Sequence, residues 1–239
     1  CPSSWALAIT IIGAIIFNHT WLTSGNLRGG ALLASPQDAS YWWQLWGAGW
    51  HWLGNGTTSP AAPYVGLLAF GSLFAIGSAN ALITSIFALA VPLSALGALV
   101  FAHRLLTSPW SRFFLIGSYA LLPVVTGAVS QGRLGTVVAL IVIPWAGLSA
   151  LRLSSDKREV RVRAAWRTAL AFSVVVAFVP LAWVFGALLI GVSSWLSGHR
   201  LRPSVWVPIL AVPLLFALPW LAQTLTSAQV WLFEAGRPD

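Results

Sequence analysis

The residue best placed for chemistry is Asp38, the only acidic residue before Asp156. A carboxylate beside an acceptor hydroxyl can act as a general base and remove its proton. The surrounding Ser-Pro-Gln-Asp also fits the start of a helix, with Ser35 as N-cap, Pro36 at the first helical position and Asp38 facing the positive end of the helix dipole. Both interpretations stay open, and they are compatible with each other.

Tryptophan is concentrated shortly after this carboxylate. Five of the fifteen tryptophans lie between positions 42 and 52, and Trp42, Trp43, Trp46 and Trp50 share roughly one face of a helix. Indole rings favour the headgroup level of a bilayer, so one interpretation is an interfacial helix. The other is that Trp43 and Trp46 stack on a sugar or polyprenyl-phosphate substrate, with the neighbouring His51 as a further substrate-binding group.

Arg133 is a third candidate, because it lies in Gln-Gly-Arg-Leu-Gly between two apolar runs of marginal length. Its guanidinium is expected at or just below a membrane interface, where an unpaired cation is costly. A substrate phosphate can supply the missing anion through bidentate hydrogen bonds. The alternative is an arginine whose side chain extends to lipid headgroups.

Several kinds of site are absent from the sequence. The single cysteine and the four scattered histidines have no metal-ligand spacing, so we expect no metal. The phosphate-binding loop, the nucleophile elbow and the zinc-protease motif are missing, so we expect no cofactor in this chain. The net charge of +8 is spread over scattered segments, which argues against nucleic-acid binding.

The elements that position these residues are expected to be helices in a lipid bilayer. Hydrophobic residues make up 58% of the chain and charged residues 8%, whereas a soluble domain carries about 25% charged residues. Long uncharged runs need lipid as their solvent, and in the absence of strand-like alternation only helices satisfy the backbone there. We therefore predict an all-α polytopic transmembrane helical bundle of about six spans, with one short re-entrant or interfacial helix and a Trp-rich external loop. The apolar runs cover residues 5–17, 64–76, 79–101, 113–129, 134–151, 168–196 and 205–221.

Charge placement predicts the orientation of this bundle. Segment 152–167 holds six basic and two acidic residues, so the positive-inside rule makes it a cytoplasmic basic loop on the anionic inner leaflet of the plasma membrane. Alternation then places 104–112 in the cytoplasm and 18–63 in an external loop, provided that 64–76 does not cross. In this scheme the basic residues at 200–202 fall outside, which the rule disfavours.

The composition also suggests what surrounds the chain. It contains no methionine and begins at Cys1 close to an apolar run, so we expect residues 1–239 to be a single membrane-embedded fragment whose parent protein continues beyond it. Twelve of the thirteen basic residues are arginine, which is typical of high-GC genomes and suggests an actinobacterial source. The expected partners are therefore the lipid bilayer and the remainder of the parent protein.

Several segments resemble a known membrane family. They are Gly-Gly-Ala-Leu-Leu at 29–33, Ser-Pro-Ala-Ala-Pro-Tyr at 59–64, Ala-Val-Pro-Leu at 90–93, Ser-Tyr-Ala-Leu-Leu-Pro at 118–123 and Thr-Gly-Ala-Val-Ser-Gln-Gly-Arg-Leu-Gly-Thr at 126–136. With the Trp-rich stretch, this order resembles the polytopic membrane region of large actinobacterial family 2 glycosyltransferase proteins, in which a cytoplasmic GT-A catalytic domain precedes the membrane helices. The resemblance covers about residues 25–151, and Gly-Arg-Leu-Gly at 132–135 is its most specific part.

The layout is also similar to GT-C enzymes such as the mycobacterial arabinofuranosyltransferases. GT-C families place catalytic acids in the first external loop, and Asp38 is the candidate here. The resemblance implies a membrane module of a glycosyltransferase that builds cell-envelope polysaccharide and handles a polyprenyl-phosphate sugar or a glycan acceptor. Two alternatives remain from the sequence, a transporter or flippase segment for a glycolipid and a non-catalytic membrane assembly subunit.

Overall fold

The computed structural model describes residues 5, 8–9, 11–13, 27, 29–32, 35–36, 38–49, 60–197, 202–218 and 220. Within these ranges the chain is all-helical without a strand, which confirms the all-α part of the prediction. The helices are α1 (Ser40–Gly47), α2 (Pro63–Ser72, extended by a 3₁₀ turn Leu73–Ala75), α3 (Ala79–Ala88), α4 (Ala90–Leu105), α5 (Pro109–Val125), α6 (Leu134–Ala150), α7 (Arg158–Phe178), α8 (Ala182–Ser197) and α9 (Pro203–Phe216).

The helices are shorter than the apolar runs. Within the described residues, no single helix combines the length and the apolar composition needed to cross a bilayer. In this part of the chain only a bent pair, Pro63–Ala75 with Ala79–Ala88, meets both requirements together, and its two halves make an angle of 93°. The polytopic part of the prediction therefore stays a prediction.

Proline divides the run predicted at 79–101. Helix α3 ends at Ala88 and α4 begins at Ala90, and Pro92 has no N–H to donate to the Ala88 carbonyl. The Leu89 N–H still donates to the Ser85 carbonyl and the Leu93 N–H to the Leu89 carbonyl, both over 2.9 Å. Helical hydrogen bonding is therefore present on both sides of a single interrupted turn.

A second proline overturns the prediction of a single run at 168–196. That run is two helices, because Val179 (φ −138°, ψ 85°) leaves the helical region immediately before Pro180. Helix α8 then folds back along α7, and a Cβ on Gly186 would collide with the Phe172 ring. The predicted loop 152–167 is also shorter than expected, since α7 already begins at Arg158.

The fold-back gives the bundle two distinct ends. The basic end holds the α4–α5 connection (106–108), the α6–α7 connection (151–157) and the start of α9, where Leu153 and Val205 pack in one apolar cluster. The loop end holds α1, the α5–α6 connection (126–133) and the bend between α2 and α3.

Nearly all charge in the described residues lies at the basic end. Its charged side chains are Arg104, Arg112, Arg152, Asp156, Lys157, Arg158, Glu159, Arg161, Arg163, Arg167 and Arg202. The loop end carries Asp38 and Arg133. The prediction that Arg202 lies on the opposite side from 152–167 was wrong, because it assumed one crossing where the chain makes a hairpin; Arg200 lies outside the described residues.

Small side chains allow the central helices to approach closely. A Cβ on Gly97 of α4 would lie 3.0 Å from the Pro144 ring of α6, and one on Gly147 would lie 3.0 Å from the Phe101 ring. Helices α4 and α6 therefore run parallel in tight contact, as small residues permit at helix interfaces.

Tyr119 repairs a hydrogen bond that a proline removes. Pro144 has no N–H, so it cannot donate to the carbonyl of Leu140 four residues earlier. The Tyr119 hydroxyl of α5 donates to that carbonyl instead, over 2.9 Å. A buried carbonyl without a partner is costly, so this bond couples α5 to the interruption in α6.

We expect Tyr119→Phe to lower the free energy of unfolding by about 1–3 kcal/mol, because it leaves the Leu140 carbonyl unpaired. The same change should cost less in a Pro144→Ala background, where the new N–H of residue 144 supplies the missing donor. Unfolding of the four proteins of this cycle in mixed micelles measures the difference. Equal costs in both backgrounds would show that the hydroxyl does not serve the carbonyl freed by Pro144.

Candidate functional site at the loop end

A tight glycine turn opens the candidate site. The Gly29 N–H donates to the Leu32 carbonyl over 3.2 Å, and the Leu32 N–H donates back to the Gly29 carbonyl over 3.1 Å. Gly29 has φ +123° and Gly30 has φ +61°, backbone conformations that favour glycine. The turn Gly29–Leu32 therefore depends on its Gly-Gly pair.

A second turn joins α5 to α6 and also depends on glycine. Gly127 has φ +69° and Gly132 has φ +68°. The Gln131 N–H donates to the Gly127 carbonyl and the Arg133 N–H to the Ala128 carbonyl, both over 2.8 Å. These bonds fold residues 126–133 into a compact loop that ends at the start of α6.

The two turns dock against each other. The Ala31 N–H donates to the Gln131 carbonyl over 2.7 Å. A Cβ on Gly30 would collide with the same carbonyl, and a Cβ on Gly132 would lie 2.7 Å from the Leu32 Cβ and 2.8 Å from the Gly29 carbonyl oxygen. Both glycines are therefore required twice, for their backbone conformation and for the close approach of the two backbones.

Arg133 lies directly after this junction. It is half-buried and occupies the N-cap position of α6, where its carbonyl accepts from the Val137 N–H over 3.1 Å. The start of a helix carries positive potential, and the guanidinium adds a full charge nearby. This part of the loop end is therefore suited to an anion.

Asp38 serves the start of a helix, but not as the sequence predicted. Its Oδ1 accepts from the Ser40 N–H over 2.8 Å, and α1 begins at Ser40 with Ala39 as N-cap. The prediction of Ser35 as N-cap was wrong, because the helix begins at Ser40, too far along the chain for Ser35 to cap it. The Ala39 N–H donates to the Gly77 carbonyl at the α2–α3 bend over 3.1 Å.

The Asp38 carboxylate is exposed, and within the described residues no basic side chain forms an ion pair with it. One of its oxygens is oriented by the backbone, and the group as a whole faces outward. This arrangement fits the helix-start interpretation, and it also leaves the carboxylate accessible to an acceptor hydroxyl. The general-base role stays a prediction.

The predicted stacking tryptophans are used in packing. Trp42 is buried in the main apolar cluster, with 6% of its surface exposed. The Trp46 ring lies against the backbone of α2, where a Cβ on Gly66 would be 3.0 Å from it, and Trp43 meets Phe70 edge to face with ring centroids 4.8 Å apart. Half-buried Trp43 and Trp46 therefore anchor α1 on α2, while His51 lies outside the described residues.

The docking of the two turns was missed from the sequence. The glycines at 29–30 and 132 contribute to the resemblance, but nothing in the sequence indicates that they meet. A local signal was present, since Gly-Gly and Gln-Gly pairs mark turns that need positive φ. No sequence signal shows that the two turns contact each other, because about 100 residues separate them along the chain.

The arrangement can hold an anion beside an exposed carboxylate at one end of a helical bundle. Within the described part of the chain no group of three or more histidine, cysteine, aspartate or glutamate side chains is arranged to hold a metal ion. No family model, curated protein or solved structure matches the chain. The resemblance found in the sequence therefore remains a prediction.

We expect Gly132→Ala to destabilise the protein more than Gly127→Ala. Both glycines have nearly the same positive φ, so both changes carry about 1–2 kcal/mol of backbone strain. Only the Cβ of residue 132 meets the backbone of the docked turn; the Cβ of residue 127 meets the flexible Gln131 side chain at 3.2 Å. Thermal unfolding in detergent measures the difference, and equal losses would mean that the turns do not dock.

Proposed function

We propose that this chain is the membrane module of a glycosyltransferase that builds cell-envelope polysaccharide, and that its loop end binds a polyprenyl-phosphate sugar or its glycan acceptor. The observation that carries the proposal is the docking of the Gly29–Leu32 turn on the α5–α6 loop. These are two of the segments on which the resemblance rests, and they are distant in sequence. Their contact supports a shared role for the two segments, because together they form the surroundings of Arg133.

Arg133 supports the phosphate part of the proposal. A half-buried arginine at the positive end of a helix favours an anionic ligand, and the planar fork of its guanidinium matches two phosphate oxygens. Lipid-linked sugar donors carry such a phosphate next to the bond that is broken. Arg133 would bind this group and stabilise the negative charge that develops on it as the sugar leaves.

Asp38 supports the transfer part of the proposal. Its exposed carboxylate lies at the same end of the bundle as Arg133 and is oriented by the Ser40 N–H. In this role Asp38 would take the proton from the acceptor hydroxyl as that oxygen attacks the anomeric carbon. The phosphate would leave toward Arg133.

The side chains exposed on the helices favour a lipid bilayer as the medium around the protein. Large apolar side chains are exposed at the α2–α3 bend and on helices α5 and α8, among them Ile76 (98%), Phe114 (69%), Leu189 (71%) and Trp195 (81%). Contiguous apolar surface is rare on soluble monomers and is expected on a lipid-facing bundle. The separation of charge into a basic end and a loop end agrees with the positive-inside pattern.

Sugar transfer by the full polypeptide tests the proposal. In membranes that express it, Arg133→Ala should lower kcat/KM for transfer from a radiolabelled polyprenyl-phosphate sugar at least tenfold, because the phosphate loses its bidentate partner. Arg133→Lys should retain part of the activity. Asp38→Asn should lower kcat with little change in KM.

Arg104→Ala is the matched control, since it removes an exposed arginine at the basic end. It should leave transfer within about twofold, the scale expected for a surface charge. Equal activity of all four variants and the unmodified protein would contradict the assignment of the site. Substrate flux across proteoliposomes without sugar transfer would favour the transporter interpretation instead.

Cysteine labelling tests the orientation. The chain has one cysteine, so Cys1→Ser gives a background for single cysteines at the exposed positions Ser40, Lys157 and Arg202. In intact cells an impermeant maleimide should label position 40 and spare 157 and 202, because the α7–α8 hairpin returns the chain to its starting side. Labelling of 157 from outside would contradict the orientation, and labelling of 202 alone would contradict the hairpin.

A further inference from the structure

We propose that the basic end contains a second anion site, which binds a phosphate group in a cleft between the end of α6 and the first half of α7. The cleft has a volume of about 310 Å³. Its polar lining consists of Arg152, Arg163 and Arg167 with Ser149. It lies at the opposite end of the bundle from Arg133, so this proposal stands independently of the proposed function.

The geometry of the cleft brings three cations together from two segments. Arg163 and Arg167 are four residues apart on α7, so they project from the same face of the helix. Arg152 reaches the cleft from the α6–α7 connection. An anion between them meets guanidinium groups from two directions, and each guanidinium can form a paired hydrogen bond with phosphate oxygens.

The cations of the cleft have no anionic partner among the described residues. Its lining contains no carboxylate, and none of the three guanidinium groups forms a hydrogen bond or an ion pair with another described residue. Like charges held around one cleft repel each other, and a bound anion removes that repulsion. The positive-inside rule explains why this segment is basic. It does not explain why three arginines surround one cavity.

Arg161 holds the turn that positions Arg152. It is buried, with 7% of its surface exposed, and its Nη1 donates to the Ser155 carbonyl over 2.7 Å. The connection 151–157 is thereby fastened to the first turns of α7. Arg161 is therefore a positioning residue for the cleft.

The chemistry of the lining indicates the class of ligand. Leu148, Val160 and Ala164 give the cleft an apolar wall beside its three cations. Its volume is at the lower limit of small-molecule pockets, which is enough for a diphosphate or a phospholipid headgroup. Both sources present the same phosphate chemistry, so they are separated by experiment.

Binding to the full chain in nanodiscs tests the proposal. In phosphatidylcholine discs, titration with inorganic pyrophosphate at fixed ionic strength measures the soluble source. In discs that contain phosphatidylglycerol, native mass spectrometry counts the anionic lipids that stay bound after release from the disc. We expect saturable binding in at least one of the two experiments.

Matched double variants distinguish a built site from general charge. Arg163→Gln with Arg167→Gln should weaken binding at least tenfold, whereas Lys157→Gln with Arg158→Gln removes the same charge from the same segment outside the cleft and should change it less than twofold. Arg152→Gln, on the other segment, should also weaken binding and gives a second measurement if the α7 variant fails to fold. Equal weakening by the two double variants, or no saturable binding of either phosphate source, would overturn the proposal.

Discussion

The architecture depends on one constraint, that every buried backbone N–H and C=O group must find a hydrogen-bond partner. Proline removes a donor, and five of the seven apolar runs of this chain contain at least one proline. At Pro92 and Pro180 the helix ends and a new one begins. At Pro144 the helix continues, and the Tyr119 hydroxyl of a neighbouring helix bonds to the Leu140 carbonyl. The interruption at Pro180 therefore becomes a corner of the bundle, and the one at Pro144 becomes a contact between two helices.

The corner at Pro180 determines how charge is distributed. Because α8 returns along α7, the start of α9 lies beside the α6–α7 connection, and Arg202 joins the other basic residues at one end. Among the residues that the structure describes, the other end carries only Asp38 and Arg133 as charged side chains, and its turns are built on glycine. The molecule is thus polarised along the helix axes, with cations concentrated at one end and a docked pair of turns at the other.

Each end combines a cation with a means of holding it in place. At the loop end, the docking of Gly30 and Gly132 fixes the start of α6 and with it the half-buried Arg133. At the basic end, Arg161 fastens the connection that carries Arg152 against α7. The same principle underlies both proposed anion sites, since a guanidinium recognises phosphate well only when its backbone attachment is fixed.

The sequence by itself determined the all-helical class, the approximate positions of most helices and the charge of the basic segment, because hydropathy and charge are properties of composition and local order. It also determined that Asp38 serves a helix start, although the N-cap is Ala39 and not Ser35. Only the tertiary structure decided that residues 168–196 form a hairpin, that the turn at Gly29 docks on the turn at Gly132, and that Trp43 and Trp46 pack on α2. These outcomes depend on the approach of segments far apart in the chain, and no local pattern of residue types specifies which backbones will have room to meet.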